Sequence, residues 1–111
     1  YGHLHSTHSG HPLMCAVGIW VLEKLWEKDL ILRSHTLGLD LKSWLNDCGI
    51  RHHSGRGLMA GLEFKDREEA DKVTVRCREK GLLVVPTGRK WIKIGPPLNI
   101  PIGEFQFGLS I

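Results

Sequence analysis

From Pro12 to Trp26 the apolar residues recur at helical spacing: Leu13, Val17, Trp20, Val21 and Leu25 fall three and four apart, as on one face of a helix. Met14, Ile19, Leu22 and Trp26 widen that face until it nearly encircles the first turns. A helix with so little polar surface is usually buried on more than one side, so this one is expected to pack between two bodies of protein. Pro12 suits its first position, because a fixed φ and a missing N–H cost nothing there. Ahead of it, Tyr1 to His11 is built from His, Ser, Thr and Gly without apolar periodicity, the composition of a loop.

A second helical stripe runs through Leu30, Leu37, Leu41, Trp44 and Leu45, with Asp29 placed to cap it and Asn46 to Gly49 to end it. Gly38 is expected to weaken that helix only slightly. Beyond Ile50 the pattern shortens to two strands: an extended piece, a turn at Ser54-Gly55-Arg56-Gly57, and a covered strand from Leu58 to Phe64. Asp66 followed by Glu69 forms a capping-box pattern, and Ala70, Val73, Thr74 and Cys77 mark one face of a third helix that Gly81 should end in a left-handed turn. Leu82 to Val85 reads as a strand, Thr87 to Lys90 as a turn and Trp91 to Ile94 as the partner strand. Pro96-Pro97 stops the pairing, and a final helix from about Pro101 carries Phe105 and Leu109. The order predicts an α+β fold with a mostly antiparallel sheet.

A chain of 111 residues suffices for one modest core, and its net charge of +3 is spread among acidic residues. No one-sided basic stripe suggests a nucleic-acid partner. Cys15, Cys48 and Cys77 are odd in number and far apart, which reads as reduced intracellular thiols. The apolar run from Pro12 to Leu22 falls short of the roughly 20 residues that cross a bilayer, so no membrane partner and a cytoplasmic location are expected. Tyr1 is not a methionine and Ile111 falls within an amphipathic pattern, so the chain reads as a fragment of a longer protein.

Three segments in register carry more than composition does. They are Ser6 to Leu13 with Cys15-Ala16, Gly55 to Glu63, and Ile92 to Leu98, joined by Lys80-Gly81-Leu82-Leu83-Val84. Together they resemble the C-terminal third of the class III aminotransferases, a pyridoxal-phosphate family. The resemblance implies the C-terminal small domain of a fold-type-I homodimer at residues 30–111. Residues 1–29 would form a loop and helix at the junction with a large domain. It also implies transfer of an amino group from an amine or amino acid, an ω-amino one in particular, to a keto acid. Within the family a phospho-lyase or decarboxylase is the alternative. The lysine that holds the cofactor lies upstream in the family, so no catalytic residue is assigned in this chain.

By the same resemblance, Thr7, with Ser6 beside it, would bond the pyridoxal phosphate held by the other subunit. A hydroxyl and backbone N–H groups ahead of a helix start suit a phosphate dianion. A bland reading stands beside it: Thr7 or Ser9 caps the helix. Lys93 falls where many members clamp a substrate carboxylate with arginine. An ammonium lacks the planar fork and holds a carboxylate less specifically, and in this the chain resembles members that act on amines or phosphorylated amino alcohols. Lys93 could equally be a solvated strand residue. Ser54 stands where the family often has arginine, so Gly55 and Gly57 read as turn-formers and Arg56 as a surface charge.

The histidines offer a non-enzymatic alternative. His3, His5, His8 and His11 are dense enough to bind zinc, copper or nickel, but their spacing matches no finger and no cysteine or carboxylate completes the set. The assignment is therefore no metal. His52-His53-Ser54 cannot converge as base and nucleophile, because neighbouring strand residues face opposite ways. Glu63 and Asp66 read as a strand-end charge and a helix cap.

Overall fold

A computed structural model of the chain describes residues 7–50 and 53–111. Its elements are α1 (Pro12–Glu27), α2 (Leu30–Asp47), β1 (His53–Arg56), β2 (Met59–Glu63), α3 (Arg67–Glu79), β3 (Val85–Pro86), β4 (Trp91–Ile94) and α4 (Ile102–Leu109). The chain divides into two compact units, residues 1–31 and 32–111.

In the first unit α1 starts where Pro12 places it, with His11 as the N-cap residue. None of its residues is buried; Leu13 is 61% and Trp26 73% exposed. The burial expected from its apolar ring is therefore not found within this chain. Asp29, expected to cap α2, instead takes a φ of +48° just after α1, and its N–H bonds to the Trp26 carbonyl at 3.1 Å. A short polar side chain is among the few that tolerate the left-handed region, so Asp29 serves as the residue that closes α1.

In the second unit, α2 lays Leu37, Leu41 and Leu45 over a four-stranded sheet ordered β1-β2-β4-β3, antiparallel throughout. The pairs Ala60 with Ile94 and Leu62 with Ile92 put four apolar side chains on one face. Leu58 and Phe105 complete the core, and Trp44, Phe64 and Ile100 pack around it. The guanidinium of Arg33 donates to the Ile100 carbonyl and ties α2 to the segment before α4. Gly61 opposite Lys93 and Glu63 opposite Trp91 occupy the other face.

Local chemistry sets the ends of α3. The Glu69 N–H donates to Asp66 Oδ1 at 2.9 Å, and Glu69 Oε2 accepts from the Lys65 N–H at 2.9 Å, a reciprocal cap that reaches one residue further back than the usual box. At the other end Gly81 has φ +89°, its N–H bonds to the Arg78 carbonyl at 3.0 Å, and the Leu82 N–H bonds to the Cys77 carbonyl at 2.8 Å. These two bonds make a complete Schellman motif.

Two strand boundaries differ from the sequence reading. The hairpin turns at Gly57-Leu58, not across Ser54 to Gly57: Ser54, Gly55 and Arg56 already pair with Gly61, Ala60 and Met59. Gly57, at φ +57°, is the first of two loop residues, the position where a tight hairpin demands glycine. Leu58 turns into the core and is 2% exposed. The strand expected over Leu82 to Val85 shrinks to Val85–Pro86. Leu82 has its N–H committed to the end of α3, and Pro86 has none to offer, so little ladder can form.

Candidate functional site

Thr7 is exposed and opens a turn over residues 7–10 that leads into α1. Gly10 at φ +73° and a bond from the His11 N–H to the His8 carbonyl, 3.1 Å, close this turn immediately before the helix. Neither Thr7 nor Ser9 occupies the cap position; that is His11, whose side chain makes no capping bond. The first turn of α1 holds no acidic residue. A hydroxyl, a glycine that lets the backbone approach closely, and the positive end of a helix with no acidic residue in its first turn make a donor set suited to a phosphate. Ser6 lies outside the described residues, as do His3 and His5.

His8 and His11 meet edge to face with ring centroids 6.4 Å apart. Among the described residues no three His, Cys, Asp or Glu side chains gather as a metal set. No helix there is long and apolar enough to cross a membrane.

Lys93 is exposed on the sheet face opposite the α2 core, between Gly61 of β2 and Val85 of β3. Gly61 contributes no side chain of its own: a β-carbon built there would lie 3.4 Å from the Trp91 ring, so the indole covers the gap. Lys93 also lines a groove of about 290 Å³ with Leu82, Val84, Pro97 and Phe105. Lys93 thus borders an apolar cleft.

Glu63 pairs with Lys90, and Asp66 caps α3, so these carboxylates have structural partners. His53 Nε2 lies 2.9 Å from Asn46 Oδ1, which ties its ring to α2.

Comparison with known proteins bears on the whole chain. The family model described as "Aminotransferase class-III" matches residues 1–111. Ornithine aminotransferase of Bacillus subtilis is 41% identical over 108 residues, covering 95% of this chain and 26% of that protein. Mitochondrial acetylornithine aminotransferase of Debaryomyces hansenii is 30% identical over 112 residues, covering 96% of this chain and 24% of the relative. Among solved structures, acetylornithine aminotransferase from Elizabethkingia anophelis superposes with a TM-score of 0.88 at 27% identity, over 99% of this chain and 29% of that one. The chain thus spans about a quarter of the length of the curated relatives it matches.

Proposed function

Since this chain belongs to the class III aminotransferase family, we propose that it is the C-terminal part of an enzyme that moves an amino group from an amine or amino acid to a keto acid. Residues 1–29 are its domain-junction segment and residues 30–111 its small domain. The exposed apolar ring of α1 supports that division, because Leu13, Trp20 and Trp26 would gain most from cover supplied by a larger body. The enzyme works as a cytoplasmic homodimer. Relatives named for ornithine and 5-aminovalerate favour a donor whose reacting amine is far from a carboxylate.

The observation that carries the reading is the turn over residues 7–10 that opens at Thr7 and leads into α1, whose N-cap His11 makes no side-chain capping bond. Thr7, with Ser6, binds the phosphate of pyridoxal phosphate held by the other subunit, the Thr7 hydroxyl donating to a phosphate oxygen. When bound, that cofactor supplies an electron sink for proton loss at the carbon bearing the amine. The chain's own part is to anchor and orient: Thr7 fixes the phosphate end, and Lys93 attracts the anionic end of the donor. Lysine at that position offers a point charge, which tolerates a carboxylate at varied distance from the amine and suits an ω-amino donor.

The full-length protein tests this directly. Purified protein should show the visible absorbance of bound pyridoxal phosphate and convert an ω-amino acid plus a keto acid into the corresponding new amino acid. Loss of amine without any need for a keto acid would replace transamination with elimination. Absence of both cofactor absorbance and reaction would remove the enzyme reading.

A further inference from the structure

A groove of about 320 Å³ runs between α2 and β1. Its cationic and titratable residues are His35 and Lys42 from the helix and His53 and Arg56 from the strand, and no carboxylate lines it among the described residues. Leu39 and Met59 add apolar surface. At one end the backbones of Gly38 and Gly57 are in contact, and at the other His53 bonds to Asn46 at 2.9 Å. The strand between those ends, His53–Arg56, is a terminal strand of the sheet. Such a strand leaves one row of N–H and C=O groups without a sheet partner, a template on which a further strand can hydrogen-bond. In sequence Arg56 reads as a surface charge; only the packing of α2 beside β1 places it along one groove with His53, His35 and Lys42.

We propose that this groove binds an extended acidic segment of a partner protein, added as a fifth strand beside β1. Backbone bonds to the edge of β1 hold the segment in register. Side chains of an added strand alternate between the two faces, so neighbouring carboxylates meet Lys42 on the α2 face and Arg56, which its register opposite Met59 puts on the other face. The preference for acid follows from the charges lining the groove, since an acidic strand gains attraction where a basic one meets repulsion. This inference does not depend on the aminotransferase reading.

The experiment uses the full-length protein and a fluorescein-labelled peptide in which pairs of glutamates alternate with pairs of valines, so that carboxylates project from both faces, read by anisotropy. The expected result is saturable binding, weakened about tenfold or more by the Lys42→Glu, Arg56→Glu double variant, whose fold is checked by circular dichroism. The same peptide with all of its backbone amides methylated keeps its charge but loses strand donors on both edges, and should fail to bind the unaltered protein. Equal binding of the methylated peptide would reduce the groove to a charge patch and overturn the proposal, as would no binding at all. Slow hydrogen exchange at those β1 amides that point away from β2 in the peptide-free protein would show the edge already filled by the protein's own chain, and would overturn it too.

Discussion

Gly38 of α2 lies against the backbone of Gly57 in the hairpin turn: a β-carbon built on Gly38 would sit 2.6 Å from Gly57 Cα and closer still to its carbonyl oxygen. The helix can reach the sheet at this depth only because neither residue carries a side chain there. Gly38→Ala should gain at most about 1 kcal/mol of helix propensity while forcing two backbones apart at a cost near the top of the overpacking range, about 3 kcal/mol. A net loss of about 2 kcal/mol is expected in denaturant unfolding of the full-length protein. An unchanged or raised midpoint would mean the contact is looser than described.

Gly57 itself meets Ser34 Oγ at 2.6 Å from its would-be β-carbon, and its φ is +57°. The hydroxyl can swing aside but the backbone cannot, so Gly57→Ala should cost about 1–2 kcal/mol through conformation alone. Combined with Gly38→Ala the effects should not simply add, because the two backbones touch and a shift of either changes the strain at the other.

Leu41 is 1% exposed at the centre of the core between α2 and the sheet. Leu41→Ala should destabilise by about 2–5 kcal/mol, whereas Leu41→Met should cost less than about 1.5 kcal/mol. Thermal unfolding of the two variants side by side measures the difference, and equal losses would argue that the site is not close-packed.

Asp66 accepts from the Glu69 N–H at 2.9 Å and begins α3. Asp66→Ala should lower stability by about 1 kcal/mol and Asp66→Ser by little, since serine supplies an equivalent acceptor. Hydrogen exchange in the first turn of α3 should rise in the alanine variant alone.

Thr7 offers the hydroxyl assigned to the cofactor phosphate. A hydrogen bond to a charged group is worth about 1.5–3 kcal/mol, so Thr7→Ala should weaken cofactor binding about tenfold to a hundredfold, with Thr7→Ser near the unaltered value. Equilibrium dialysis of pyridoxal phosphate against the full-length protein reads this without relying on turnover. Equal affinity in all three would return Thr7 to an ordinary loop residue.

Lys93 is exposed at the middle of the open sheet face. Lys93→Ala should raise KM for an anionic donor about tenfold with a smaller change in kcat, and leave KM for an uncharged amine unaltered. Lys93→Arg should shift preference toward donors whose carboxylate can be gripped in a bidentate pair. An equal effect on charged and uncharged donors would assign Lys93 to the strand alone.

Much of the fold was legible along the chain because its signals are local. Pro12, Asp66 with Glu69, and Gly81 each act on backbone groups within a few residues, so their patterns name helix ends wherever the surroundings permit. The α2 stripe likewise names its buried face through Leu37, Leu41 and Leu45. The family resemblance was also carried by sequence, through three segments whose order and separation survive without coordinates. What the chain could not fix alone were positions that depend on a distant partner. The hairpin turn moved to Gly57-Leu58 because Leu58 finds the core there, and β3 shortened because the end of α3 claims the Leu82 N–H. Gly38 read as a slight weakness and proved to be the point of closest approach. The basic groove needed α2 and β1 side by side before Lys42 and Arg56 could be seen as neighbours. Local hydrogen bonds and periodicity are written into short stretches of sequence; close backbone approach, strand register and convergent charge arise only when separated segments compete for the same space.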